Sequence, residues 1–236
     1  MNVNEQLDEL YRLKMPFLVK SLSEYNEQNN DKATNPLLIK VSEKWEKSEV
    51  KIMIIGQETF TWCVECGENG VFSGNIDLSI NIYNNFFNNS FGYPSPFWNE
   101  FRRISKSIIT SKSVDFSWNN IIKVGRIGSG NVPKINEIIF KDFNVLVEEI
   151  NITKPNILIF FTGPNYNNHI KKFIGNFNVK PKDNFKINEL SFLEFNELEF
   201  DLCIRTYHPN YLYRSGKREK IINGIINEIN NKLNSN

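Results

Sequence analysis

No run of apolar residues in this chain approaches the roughly 18 to 20 needed to cross a bilayer, so no spanning segment and no membrane partner are expected. The opening residues, MNVNEQLDELYRL, lack the basic and then apolar stretches of a secretory signal, and the expectation is a soluble, cytoplasmic protein. Net charge is almost absent. Lys and Arg total 28 against 27 Asp and Glu, which leaves +1, so bulk electrostatics give no reason to invoke nucleic acid. Any DNA contact has to come from a local basic patch. Cysteine is scarce too: Cys63, Cys66 and Cys203 are all there is. Cys63 and Cys66 form a C-x-x-C pair, but no second pair or nearby histidine completes a tetrahedral metal site. No metal and no cofactor are expected, and the thiols read as structural or incidental, with a redox pair or a partial metal site as the lesser reading.

What is present fits one globular domain spanning 1–236, with 40% hydrophobic and 23% charged residues. The run KIMII at 51–55 is β-branched and continuously apolar and meets Gly56 at once, the pattern of a buried parallel strand that ends in a turn. ILIFF at 157–161 and FDLCIRT at 200–206 are similar runs, followed by Thr162-Gly163-Pro164 and by His208-Pro209. In an open parallel sheet such strand ends line one edge, where ligands bind. Apolar spacing predicts helices over 97–109, 136–150 and 217–234, and over 4–28 as two short helices broken at Pro16. A further short element is expected over 37–47. Neither an internal repeat nor a linker is visible.

Two polar segments follow these strands: Gly56-Gln57-Glu58-Thr59-Phe60, expected on a tight turn, and His208-Pro209-Asn210-Tyr211-Leu212. Between them lie Gly70-Val71-Phe72-Ser73, Ser95-Pro96-Phe97-Trp98-Asn99-Glu100-Phe101, Trp118-Asn119-Asn120-Ile121-Ile122-Lys123, and Lys154-Pro155 before its strand. Each motif is weak alone. In this order, over about residues 50 to 216, they resemble the uracil-DNA glycosylase superfamily, whose first motif in its best-known branch reads G-Q-D-P-Y-H and whose last reads H-P-S-P-L-S.

The resemblance implies a three-layer α/β/α sandwich around a central, mostly parallel four-stranded sheet. It also implies a monofunctional enzyme that flips a pyrimidine from DNA and hydrolyses its N-glycosidic bond, leaving an abasic site. Position by position, Glu58 takes the place of the family's water-positioning aspartate, with Gln57 beside it. His208 would donate to a carbonyl oxygen of the base. Phe72 would stack on the base and Asn120 would read its edge, with Asn119 as competitor. Leu212 matches the family's wedge leucine, although packing on a neighbouring helix is an equal reading. Arg205, Arg214, Lys217 and Arg218 surround this segment and are expected to hold phosphates. DNA is the expected partner, and a monomer the expected state.

Three departures bear on the substrate. Glutamate replaces aspartate at Glu58. Thr59 and Phe60 replace the family's proline and tyrosine, and that tyrosine resembles a gate against substituents at C5. Residues 73–94 are long and aromatic (Tyr83, Phe86, Phe87, Phe91, Tyr93), leaving room for a remodelled pocket or lid. The base is therefore expected to be uracil, as in repair, or a bulky C5-modified cytosine such as glucosylated hydroxymethylcytosine, as in defence against phage. An asparagine amide does not decide between them, since it pairs with uracil or, rotated, with cytosine.

Plainer readings stand beside these. Glu58 could cap a helix, Phe72 could be a core aromatic, Asn120 could make a turn contact, and His169 reads as structural or solvated. A non-catalytic DNA- or protein-binding member of the same fold is the alternative of a different class. A small-molecule nucleoside hydrolase would need a carboxylate cluster for a metal, which the sequence lacks.

Overall fold

In a computed structural model of the chain, which describes residues 1–89, 94–128, 130 and 132–235, the run KIMII lies on an inner strand of a sheet. Contacts group the chain into two compact units. Unit 1 comprises Met1–Val41, Gln57–Ser90 and Asn120–Thr153; unit 2 comprises Ser42–Gly56, Phe91–Asn119 and Lys154–Asn236.

The sheet has six strands: β1 (Val50–Glu58), β2 (Val114–Ile122), β3 (Ile157–Phe161), β4 (Phe177–Pro181), β5 (Leu190–Phe195) and β6 (Leu202–Thr206), in the order β2-β1-β3-β6-β5-β4. Strands β1 and β3 run parallel, with Ile52 opposite Ile157, and β3 and β6 run parallel, with Phe161 opposite Thr206. Strand β5 is antiparallel to both β6 and β4. The architecture is thus α/β with a mixed sheet. Among the described residues it has six strands where the resemblance implies four, because residues 177–195 fold into a hairpin whose short, charge-bearing strands give no continuous apolar signal. Pro181 is tolerated there because β4 is the edge strand.

A second difference lies in β1. It does not stop at Gly56 but carries Gln57 and Glu58 as its last two residues, so these side chains sit on a strand end instead of a tight turn. The apolar centre of β1, Ile52 to Ile55, and the whole of β3 are fully buried, as parallel strands covered on both faces require.

The helices of unit 2 are α3 (Pro96–Ser107), α6 (Asn167–Phe173), α7 (Pro209–Arg214) and α8 (Arg218–Asn234). Helix α3 begins where Ser95 accepts from the Trp98 N–H and Pro96 takes the first turn, where its missing donor costs nothing. Helix α8 buries Ile221, Ile222, Ile225 and Ile229, the apolar face its spacing predicts.

Unit 1 holds α1 (Val3–Gln28), α2 (Ile76–Tyr83), α4 (Pro133–Asp142) and α5 (Leu146–Thr153). Helix α1 is unbroken, contrary to the two short helices expected. Pro16 and Arg12 both face solvent, so water can satisfy the Arg12 carbonyl that Pro16 leaves without a donor. The opposite stripe, Leu7, Tyr11, Met15, Leu18, Leu22 and Tyr25, is buried without interruption and keeps the helix continuous through the proline. The stretch 136–150 divides into α4 and α5, because Phe143 leaves helical geometry at φ −146° and ψ 38° to bury its ring. Residues 37–44 carry no regular structure, and only Trp45–Lys47 makes a short 3-10 turn.

Beneath α1 lies a buried polar cluster that the sequence does not announce. The Lys123 ammonium donates to Glu149 at 2.7 Å, and the Tyr11 hydroxyl donates to the same carboxylate at 2.6 Å. All three side chains are essentially without solvent contact. Burial holds the Lys123 ammonium below its ordinary pKa, opposed by Glu149, and pushes the Tyr11 phenol well up.

Of the aromatics expected over 73–94, Tyr83 and Phe87 are core residues, and Phe86 meets Trp62 edge-on with centroids 5.4 Å apart. Phe91 and Tyr93 lie outside the described residues. Among the described residues no helix is long and apolar enough to cross a membrane.

Candidate functional site

Gln57, Glu58, Thr59, Phe60, Phe72 and Asn120, all singled out above, belong to unit 1. Gln57 and Glu58 end β1 half-buried, and Thr59 then turns the chain away. The Thr59 N–H and the Thr59 hydroxyl both donate to the Ile122 carbonyl, each at 3.1 Å. Asn120, on β2, donates from Nδ2 to the Thr59 Oγ1 at 3.1 Å. This clamp needs a glycine at 125. A Cβ there would fall 1.9 Å from the Thr59 carbonyl oxygen and 2.7 Å from that of Phe60, so any side chain would push the two segments apart.

The structure thus brings Thr59 and Asn120 together and buries both, while Asn119, the next residue along the pleat, points to the other face of β2. Phe60 is 57% exposed, so its ring stands largely at the surface. Phe72 is half-buried and held by a short pairing in which its N–H donates to the Ala33 carbonyl at 3.0 Å and Val71 bridges Thr34. Between Phe60 and Phe72 the chain passes through Cys63 and Cys66, which are joined as a disulfide with Cα atoms 5.1 Å apart. Cys203 is free and buried in unit 2, and burial pushes its thiol well up.

Unit 2 contributes His208. Strand β6 ends at Thr206, whose carbonyl accepts from the N–H groups of Thr162 and Gly163 at 3.1 and 2.8 Å. His208 is the cap of α7, and its Nδ1 accepts from the Asn210 N–H at 3.2 Å. A nitrogen that accepts carries no proton, so in the neutral ring the proton sits on Nε2, which is the donor. The imidazole lies nearly flat on Phe97, with centroids 5.9 Å apart and planes 22° apart. Phe97 is wedged edge-on against Phe161 at 5.8 Å and Trp98 at 5.2 Å. Burial, with a smaller push from Arg214, lowers the His208 pKa from 6.5 to about 4. The side chain is therefore a neutral donor of fixed tautomer at any pH near 7.

Helix α7 is tied to its neighbours through Glu100 of α3, a buried carboxylate that accepts from the Tyr213 hydroxyl at 2.9 Å and from Arg218. The Arg218 guanidinium also lies over the Tyr213 ring, 4.7 Å from its centroid. Phe97, Glu100 and Thr59 fall inside the motifs quoted above, but the sequence gives none of them a role in the site. Their roles come from contacts distant along the chain, such as Asn120 for Thr59 and His208 for Phe97.

Two of the expected DNA contacts need correction. Leu212 is fully buried on the inner face of α7, so of its two readings the packed one is observed. Its side chain has no surface to offer a duplex in this arrangement. Arg205, expected to hold phosphate, is 1% exposed, and its Nη2 donates to the Ile187 carbonyl and to Ser191 Oγ, the latter at 2.9 Å. It has the place of a core residue on β6. The remaining cations differ among themselves. Lys217 is paired with Glu189 at 2.7 Å, and Arg218 with Glu100 and Glu219. Arg214 is exposed and makes no ion pair among the described residues.

His169, on the first turn of α6, packs against Tyr166 at 5.0 Å, and burial followed by Lys172 lowers its pKa. Among the described residues no group of three His, Cys, Asp or Glu side chains stands together to hold a metal ion. Models of known protein families give no match to this chain, and no curated protein matches it.

Proposed function

We propose that this chain is a monofunctional DNA glycosylase of the uracil-DNA glycosylase type, acting on a pyrimidine held outside the duplex. The observation that carries the reading is His208: a neutral imidazole, its Nδ1 occupied by the Asn210 N–H and its ring flat on Phe97, leaves Nε2–H as a donor fixed in direction. Such a donor suits the oxygen of a departing base. As the C1′–N1 bond breaks, negative charge grows on the base carbonyls, and a donor already in place stabilises that charge without reorganising. A neutral donor also keeps its proton while the base leaves as an anion.

Glu58 would orient the water whose oxygen bonds to C1′, and its carboxylate would take up the proton that water releases. Gln57 would support that water and the sugar, Phe72 would stack on the base and Asn120 would read its edge. Arg214, the exposed cation beside His208, is the best candidate for a phosphate contact. Leu212 is left out as wedge because it is buried, and Arg205 is left out as phosphate ligand for the same reason. The run β2-β1-β3-β6 supports the reading as the four-stranded centre of a three-layer fold, with β5 and β4 added beyond β6. Uracil and a C5-modified cytosine both remain within this reading.

The role of the carboxylate is tested by Glu58→Gln. The substitution keeps the shape and removes the proton acceptor, so base excision should fall by a factor of about 100 or more while the melting temperature stays put. Unchanged turnover would remove Glu58 from the mechanism.

A further inference from the structure

The geometry points to Thr59 as a specificity-determining residue, one that fixes which way round Asn120 presents its amide and so which of the two pyrimidine edges can be read. The inference rests on the glycosylase reading and concerns the same asparagine.

The chain of donors is directional. The Ile122 carbonyl can only accept, so the single proton of the Thr59 hydroxyl is committed to it at 3.1 Å. The Thr59 oxygen must then act as acceptor toward its other neighbour. That neighbour is the Asn120 amide at 3.1 Å, and only the nitrogen end of an amide donates. Nδ2 is therefore set toward Thr59, and Oδ1 lies on the side away from it. Turning the amide over would place Oδ1 against Oγ1 and leave two acceptors facing each other, unless the hydroxyl abandoned Ile122. The backbone supplies the rigidity. The Thr59 N–H holds the same carbonyl at 3.1 Å, and the close approach allowed by Gly125 leaves the segment no room to slide.

Fixing the amide has a chemical consequence. Uracil offers an N3–H donor beside the O4 acceptor, whereas cytosine, with or without a C5 substituent, offers an N3 acceptor beside the N4 donor. An amide free to turn pairs with either edge. An amide held one way pairs with one edge and sets donor against donor and acceptor against acceptor on the other. The proline that the resemblance would place at 59 could supply no such hydroxyl, so the lock belongs to this chain. The Thr59 hydrogen bond, between neutral groups, favours one orientation by about tenfold.

Two measurements test this, one of them independent of catalysis. With asparagine side chains labelled with nitrogen-15, and the Asn120 signal identified by its loss in Asn120→Asp, one Nδ2 proton should exchange slowly in the wild type and in Thr59→Ser. That protection should vanish in Thr59→Val, which keeps the shape and removes the hydroxyl. In parallel, the ratio of excision from uracil-containing and hydroxymethylcytosine-containing DNA should move about tenfold toward the disfavoured base in Thr59→Val and stay in place in Thr59→Ser. An unprotected proton in the wild type overturns the lock. A protected proton with an unchanged ratio in Thr59→Val overturns its role in specificity. A wild type that shows the protected proton but excises no base overturns the glycosylase reading, and the specificity role with it, while leaving the hydrogen-bond chain intact.

Discussion

The imidazole of His208 rests on the ring of Phe97 with planes only 22° apart, and Phe97 is itself braced edge-on by Phe161. Burial of the imidazole, with a smaller push from Arg214, lowers its pKa from 6.5 to about 4. The neutral form is favoured by folding, so the associated stability is fully present above pH 6.5 and is lost as the pH falls through about 4. With two histidines in the chain, proton NMR can follow each one. His208 should titrate near 4, and excision should show no limb from this group between pH 5 and 8. A His208 midpoint near 6.5 would mean that the ring is solvated and that the donor is not fixed as described.

Leu212 and Arg214 stand two positions apart on α7 and should fail in different ways. Leu212→Ala removes a fully buried side chain and should cost about 2–5 kcal/mol of stability, read as a lower midpoint in a urea titration. Arg214→Ala should leave that midpoint alone. Instead it should weaken binding to duplex DNA and reduce the slope of log affinity against log salt by about 1. A Leu212→Ala protein of wild-type stability would restore the wedge reading.

Lys123 and Glu149 test the unit 1 core. Breaking one partner of a buried pair strands the other charge, so Lys123→Met should destabilise by about 3–5 kcal/mol. The double variant Lys123→Met with Glu149→Leu should recover most of that loss, since neither charge is then buried. A loss in the double variant equal to the sum of the losses in Lys123→Met and Glu149→Leu alone would show that the pair is not coupled.

Gly125→Ala should be among the most damaging changes to unit 1 for its size. One added methyl meets the Thr59 carbonyl at 1.9 Å, so the clamp on Thr59 has to open. Loss of the slow Asn120 amide proton in this variant is the expected signature, and its survival would show that the segments can part without disturbing Thr59.

How much of this was legible follows from where the information lies. Residues 52–55 (IMII) and 157–161 (ILIFF) declare themselves as strands because both faces are buried and every residue is apolar. Strand β2 is hidden because VDFSWNNII places a serine and two asparagines in a buried strand, and the group that Asn120 bonds there, the Thr59 hydroxyl, lies elsewhere in the chain. The β4–β5 hairpin is hidden for the opposite reason, being half-exposed and charged. Pro16 misleads because its cost depends on which face it occupies, and that is fixed only when the rest of α1 packs. At the site, His208 was legible as a histidine-proline step after a strand. The burial of Leu212 and Arg205 was not, because a side chain's exposure is a property of its neighbours.

The most direct measurement is release of free base. DNA carrying uracil, a thymine mismatch, hydroxymethylcytosine or its glucosylated form is incubated with the purified protein without added metal, and the released base is identified by mass spectrometry. The expected result is one pyrimidine class released by the wild type, with alkali-labile abasic sites left in the strand, and none released by Glu58→Gln. Release at the same rate by both proteins, or no base released from any of these DNAs by a protein that binds them, would contradict the assignment of glycosidic hydrolysis to this chain.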